Sequence, residues 1–279
     1  MQTNNIEKET LGVIGVGTIG GTLVGGLIDN GVMKPDQIKG STAHEESAKE
    51  AEERYGIEVG TDNLAVARSS EVVLLAVKPQ GMNGVLKEIN SAVRSDQLII
   101  TLAAAVKTSY IEERVEAEVP VVRAMPNTPA TVNEGMTVIC PGEHAGEGEL
   151  ELARDIFASV GRVETLKEEK LMDAVTGLSG GGPAYGYLLI EALSEGGVKV
   201  GLPRELATIL ASQSLLGAAK MVLDTEEHPA KLKDMVTTPA GVTVDGLMKM
   251  EEGGVRVALI KAVVEATEKS SQINLETED

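Results

Sequence analysis

The sequence predicts an α/β protein: a doubly wound parallel sheet at the N-terminus, then an all-helical domain. Three observations carry this. A short apolar run feeds a glycine-rich turn between residues 11 and 21. From there to about residue 166, apolar runs alternate with helical stretches, the signature of βαβ units. Beyond residue 167 strand signals stop, and helices punctuated by glycine and proline take over. The expected domains are therefore 1–166 and 167–279.

The first element is Leu11-Gly12-Val13-Ile14, leading into Gly15-Val16-Gly17-Thr18-Ile19-Gly20. An amphipathic stretch from Thr22 to Asn30 follows, and Gly31 stops it. Strand, tight turn and helix in this order form the Rossmann-type dinucleotide fingerprint. Gly15 permits the turn, Gly17 lets the backbone approach a pyrophosphate, and Gly20 lets helix and strand pack closely. The helix start adds unpaired N–H groups and a positive dipole end.

Pro35 and Asp36 mark a turn before a second strand, Ile38–Ser41. Glu45–Tyr55 is charged and helical, and Gly56 ends it. Ile57–Val59 is a short strand, and Asp62-Asn63 opens a short helix. Glu71–Val77 is a near-continuous apolar run, suited to a parallel strand covered on both faces. Met82–Val93 reads as helix, Leu98–Leu102 as strand, Ser109–Val115 as helix and Val121-Val122 as strand. Val132–Ile139 and Arg162–Leu166 are β-like and read as edge strands. In the second domain Leu171–Leu178, Ala184–Val200, Arg204–Leu223, Ala230–Val236, Val244–Met250 and Val255–Ser271 read as helices. The Arg204–Leu223 stretch is apolar around much of its circumference, which suits either a dimer interface or burial within one subunit.

Composition narrows the function classes. The chain has 279 residues, 42% hydrophobic and 24% charged, as expected of a soluble globular protein. A net charge of −18 argues against nucleic acid and anionic membrane as partners. The acidic surface also fits adaptation to high salt. With one Phe, four Tyr and no Trp, there are no aromatic platforms for single-stranded nucleic acid. One cysteine, Cys140, excludes a disulfide framework, and His44, His144 and His228 show no metal-ligand spacing. Residues 1–10 lack an apolar core of a signal peptide, and the run 98–106 is too short to span a bilayer. The expected compartment is the cytoplasm, with no membrane association and no metal.

Cofactor choice falls to the tip of the second strand, Lys39-Gly40-Ser41-Thr42-Ala43-His44. An acid there would bind the ribose 2′-OH of NAD. None is present, and the Ser41 and Thr42 hydroxyls beside Lys39 and His44 favour the 2′-phosphate of NADPH, with NADH the alternative. Ala76-Val77-Lys78-Pro79 ends a buried strand at the edge where such sheets bind ligands. Leu102–Val106, including Ala104, offers small side chains suited to a nicotinamide ring. Met125-Pro126-Asn127-Thr128-Pro129 forms a proline-stiffened wall. Two further loops open helices: Ser179–Tyr185 and Thr237–Thr243. Helix N-termini bind carboxylates, so a small carboxylated substrate is expected. No lysine closely follows the Ser179–Tyr185 loop, which disfavours hydroxyacid chemistry and suits hydride addition to a protonated imine.

These motifs, together and in order, make residues 10–272 resemble the pyrroline-5-carboxylate reductase family. The resemblance implies reduction of 1-pyrroline-5-carboxylate to proline with NADPH or NADH, by homodimers that often form rings. It implies that Gly15–Gly20 hold the pyrophosphate, that Ser41, Thr42 and Asn63 flank the adenosine, and that Ala76–Pro79 and Ala104 line the nicotinamide half. It also implies that Ala240, Gly241, Val242 and Thr243 take the substrate carboxylate, with the Thr243 hydroxyl on the imine nitrogen. The family usually has Ser, Gly, Thr and Gly where this chain has Gly181, Ala240, Val242 and Ala105. Those departures keep two other readings open: reduction of another cyclic imine acid or a hydroxyacid, and an NADPH-binding protein without turnover.

Overall fold

The computed structural model describes residues 9–272. The acidic tail, expected to fray, lies outside them. Packing divides the chain into two units: one runs to Gly180 and takes back the chain from Ala266, and the other is Gly181–Glu265.

The first unit is built on an eight-stranded sheet in the order β3-β2-β1-β4-β5-β6-β7-β8. The strands are β1 (Leu11–Ile14), β2 (Ile38–Ser41), β3 (Glu58–Gly60), β4 (Val72–Leu75), β5 (Leu98–Thr101), β6 (Val121–Met125), β7 (Gly135–Pro141) and β8 (Gly161–Thr165). All neighbours pair in parallel except β6 and β7. Strand β8 is an edge, as its short polar sequence suggests. Strand β7 is interior and antiparallel to β6, because the connection 126–134 carries only the 3₁₀ turn Thr128–Val132 and is too short for a crossover helix. Its pairing with β8 is parallel, Gly135 against Gly161, and that crossover needs a helix.

The helix in question, α6 (Glu147–Ala158) once α1–α5 are counted, has no counterpart in the pattern read from the sequence. Its charged composition and the glycines at 146 and 148 mask it. Its apolar positions Leu150, Ala153, Ile156 and Phe157 are nevertheless at helical spacing, and all are buried. The Glu149 carboxylate accepts the Gly146 N–H at 2.8 Å and starts the helix.

The earlier helices are α1 (Thr18–Asp29), α2 (Glu45–Tyr55), α3 (Asn63–Arg68), α4 (Met82–Ile89) and α5 (Thr108–Glu112). Helix α1 starts at Thr18, ahead of its amphipathic stretch, so the fingerprint itself forms the first turn. Asp62 caps α3 by accepting the Ala65 N–H at 2.9 Å. Gly56 closes α2 at φ +68°, where a side chain is disfavoured. Strand β4 shows how the sheet divides two cores. Val72 and Leu74 join Leu23, Leu27 and Phe157 on one face. Val73 and Leu75 join Met82, Leu86 and Ile111 on the other.

A short helix α7 (Met172–Val175) and a π-turn over Thr176–Gly180 complete the first unit. Residues 167–180 thus pack with the sheet, although the change from strands to helices begins at 167.

The second unit carries α8 (Gly182–Lys199), α9 (Arg204–Thr225), α10 (Pro229–Met235), α11 (Val242–Glu252) and most of α12 (Val255–Ser271). Pro183 sits in the first turn of α8, where its missing N–H costs nothing. Gly197 lets α8 and α9 approach: a Cβ there would lie 3.0 Å from that of Ala207. Little else is covered. Ile209, Leu210, Leu216 and Leu223 on α9 are all exposed. This helix is long and apolar enough to cross a membrane by length and composition alone, and is 11% buried over its most apolar window.

Candidate active site

The glycine-rich turn is shaped by its own backbone. Gly15 stands at φ +98°, and a Cβ on it would lie 2.8 Å from the Ala76 carbonyl oxygen. A Cβ on Gly20 would lie 2.5 Å from the Gly15 carbonyl oxygen. At Gly17 nothing lies within 4 Å of where a Cβ would stand. Two glycines are thus demanded from inside, and the third leaves open space at the mouth of α1. No side chain caps that helix. The Gly15 and Val16 N–H groups donate to the Ser41 carbonyl at 2.9 and 3.0 Å, and Val16 buries its side chain. The N–H groups of Thr18, Ile19 and Gly20 belong to the open first turn. The cradle fits a pyrophosphate on backbone donors and a helix dipole.

At the tip of β2 the structure brings Ser41, Thr42 and Asn63 together. Ser41 is fully buried, and its hydroxyl donates to Asn63 Oδ1 at 2.7 Å. Asn63 Nδ2 donates in turn to Glu88 at 2.8 Å, a partner the sequence did not suggest. The Thr42 hydroxyl donates to the His44 carbonyl at 2.9 Å. Lys39 pairs with Glu58 at 3.0 Å. The polar side chains at this tip are therefore organised first among themselves.

Ala76 follows β4, its N–H donating to the Ile14 carbonyl at 2.9 Å, so β1 and β4 end together. Lys78 is exposed, and Pro79 opens a 3₁₀ turn. The loop after β5 holds Ala104 beside Ala105, which stands at φ +61°. An alanine there carries a penalty of about 1–2 kcal/mol that glycine escapes. Asn127 ties two of the singled-out loops together. Its Nδ2 donates to the Ser179 carbonyl at 3.1 Å, and its Oδ1 accepts the Met136 N–H at 2.8 Å. The Ser179 hydroxyl is buried without a hydrogen-bond partner.

In the helical unit, Gly241 is the N-cap of α11, and Val242 and Thr243 are its first two residues. A Cβ on Gly241 would lie 2.4 Å from Thr238 Oγ1 and 3.0 Å from the Thr238 carbonyl, so a side chain there would have to displace the Thr238 hydroxyl. Ala240 stands at φ +58°. The backbone N–H groups of the first turn suit a carboxylate. Gly181 has ordinary helical φ of −80°, so its identity is a loss of side chain and not a backbone need.

A buried charge cluster lies elsewhere in the sheet unit. Arg123 on β6, 4% exposed, donates from Nη1 to Glu169 at 3.3 Å and lies 3.9 Å from Asp173. Its cross-strand neighbour Cys140 is fully buried. Burial, reinforced by Glu169 and opposed by Arg123, pushes the Cys140 thiol up to about 11, which leaves it a poor nucleophile. Among the described residues no group of three or more His, Cys, Asp or Glu is placed to hold a metal.

Comparison with known proteins gives a consistent picture. Residues 169–273 match the family profile "Pyrroline-5-carboxylate reductase dimerisation". Residues 10–105 match "NADP oxidoreductase coenzyme F420-dependent". The chain is 43% identical to a pyrroline-5-carboxylate reductase of Methanosarcina acetivorans over 96% of its own length and 99% of the relative's. It is 40% identical to that of Glycine max, covering 96% and 97%. Among solved structures it resembles a Plasmodium falciparum pyrroline carboxylate reductase with NADP bound, at TM-score 0.85 and 32% identity over 96% and 98% of the two chains. It also resembles the Coxiella burnetii enzyme, at TM-score 0.87 and 35% identity over 96% and 99%. Helix α9 lies inside the segment matched as a dimerisation domain, which accounts for its exposed apolar face and supports an oligomer.

Proposed function

The chain belongs to the pyrroline-5-carboxylate reductase family, and on that premise we propose that it reduces 1-pyrroline-5-carboxylate to L-proline with NAD(P)H. The observation that carries this reading is the open cradle at Gly17, flanked by two sterically required glycines, in a chain matched over nearly its full length by reductases of this name. NADPH is the expected cofactor and NADH the alternative; when bound, it supplies the hydride.

The chain's own residues bind and orient. Gly15–Gly20 take the pyrophosphate on the first turn of α1. Ser41, Thr42 and Asn63 flank the adenosine, and Ala76, Val77, Lys78, Pro79 and Ala104 line the nicotinamide half. Ala240, Gly241, Val242 and Thr243 take the substrate carboxylate on the N-terminus of α11. The Thr243 hydroxyl hydrogen-bonds the imine nitrogen and holds its proton. Orientation in a dry site is worth on the order of 7–11 kcal/mol. Positioned proton transfer adds roughly 10²–10⁴-fold. The working assembly is a homodimer, with a ring of dimers as its further association.

The test is oxidation of NADPH and NADH by the purified protein with 1-pyrroline-5-carboxylate, at low and high salt. Turnover is expected, faster with NADPH. Thr243→Ala is expected to lower kcat by at least about 10²-fold while cofactor affinity holds. Unchanged kcat and KM in that variant would remove Thr243 from the chemistry.

A further inference from the structure

We propose that Glu169, held by Arg123, is a positioning residue for the loop after β5, residues 102–107. The proposal rests on the reading that this loop lines the nicotinamide half of the cofactor.

The loop's own backbone holds its turn by one long bond, the Val106 N–H to the Ala103 carbonyl at 3.4 Å. Ala105 stands at φ +61°, a region an L-residue occupies only when its surroundings over-determine it. At its start the loop is fixed by the sheet. The Leu102 N–H donates to the Leu75 carbonyl at 3.0 Å, and the Ala103 N–H to Thr101 Oγ1 at 3.3 Å. At its end the sheet is gone, and the next residues are the five of α5. That helix begins after Lys107, whose side chain makes no cap.

Glu169 supplies what is missing. Its Oε1 accepts the Thr108 N–H at 2.8 Å, and its Oε2 accepts the Thr108 hydroxyl at 3.0 Å. Both carboxylate oxygens thus close on one residue, three positions beyond Ala105. The carboxylate cannot swing away, because Arg123 Nη1 donates to Oε1 at 3.3 Å from the centre of β6. Strand β6 is itself paired with β5, Arg123 opposite Thr101. The clamp therefore refers the far end of the loop back to the strand that starts it. Burial makes it stiff: Arg123 is 4% and Glu169 22% exposed at the side chain. A helix cap alone needs one acceptor and no buried arginine behind it. Two donors on one carboxylate, backed by a sheet-borne cation, fix a position.

Glu169→Gln keeps the shape and loses one acceptor. It is expected to raise KM for NADPH or lower kcat by roughly tenfold, the scale of a small misplacement at a reacting centre. Affinity for 2′-phospho-ADP-ribose, the cofactor without its nicotinamide, is expected to stay within about twofold. The emission of bound NADPH, which reports the nicotinamide's surroundings without turnover, is expected to move toward that of free NADPH. Thr108→Val, which removes only the hydroxyl donor, should show the same split to a smaller extent, and Thr108→Ser should recover it. Thr108→Val also decides the matter if Glu169→Gln does not fold. Unchanged kinetics and emission in a folded variant would overturn the proposal. So would a parallel loss of nicotinamide and adenosine-half binding together with a fall in Tm. Failure of the wild type to turn over the imine would sink the substrate reading, while the emission measurement would still decide this one.

Discussion

The two units of this chain solve the same problem in opposite ways. The sheet unit hides its apolar side chains inside itself. Phe157, Leu11, Leu23, Leu74, Met82 and Ile89 are each less than 2% exposed. The helical unit displays them. Within Gly181–Glu265, Ala207 and Ala211 are the buried apolar residues, while Leu188, Ile209, Leu216 and Ile260 are each more than half exposed. One unit is complete as a single subunit, and the other is written for a partner. An apolar surface of this extent marks an interaction site, and its residues fall inside the segment matched by the dimerisation family, which supports an oligomer.

The sharpest way to break the contrast is a charge on the displayed face. Ile209→Asp is expected to dissociate the oligomer, since a fully covered isoleucine contributes about 1.5–3 kcal/mol and a buried unpaired carboxylate costs more. Light scattering after size exclusion should give the mass of one chain, and Tm should lose its dependence on protein concentration. An intact oligomer would place the interface elsewhere.

A smaller effect comes from the sheet unit. Gly20→Ala drives a methyl to within 2.5 Å of the Gly15 carbonyl. Cofactor Kd is expected to rise about 10²-fold, or roughly 2.7 kcal/mol, with the oligomer unchanged. Titration calorimetry and light scattering on the same sample separate the two. Loss of the oligomer as well would mean that the sheet unit is less self-contained than its burial indicates.

The smallest effect sharpens the comparison, because each unit has one alanine in the left-handed region. Ala105 and Ala240 both stand near φ +60°, at φ +61° and +58°. Replacing either with glycine relieves about 1 kcal/mol of left-handed strain but frees the unfolded chain by nearly as much. Ala105→Gly is expected to raise Tm slightly. Ala240→Gly is expected to do the same and to change substrate KM more than cofactor KM. Steady-state kinetics and differential scanning calorimetry check both.

Much of the fold was legible because it depends on local pattern. Strand Ile38–Ser41 and helices Glu45–Tyr55 and Val255–Ser271 have the limits their capping and apolar runs predict. Helix α6 was not legible, since glutamates crowd its exposed face and glycines stand where it starts. The fingerprint was legible because its glycines answer to backbone contacts that recur with the motif. The polar cluster was not. Arg123 and Glu169 are 46 positions apart, and nothing local to either names the other. An arginine inside the apolar run Val121–Met125 was the available signal, since a buried guanidinium needs a buried acid. Ser41 shows a different limit: composition places a hydroxyl at the strand tip, and only the fold reveals that it is turned toward Asn63.

Helix α12 leaves the helical unit at Glu265 and ends on the sheet unit, where the Ser270 hydroxyl donates to Asp173 at 2.8 Å. In the order of synthesis, the sheet unit is therefore the first to emerge and the last to be finished. Its strands are all made before Gly181, yet the segment that closes on Asp173 arrives only when the whole helical unit has been translated. Folding that normally proceeds domain by domain from the N-terminus must here return to its starting point, and a nascent chain halted at residue 265 would carry a complete sheet with that closing segment missing.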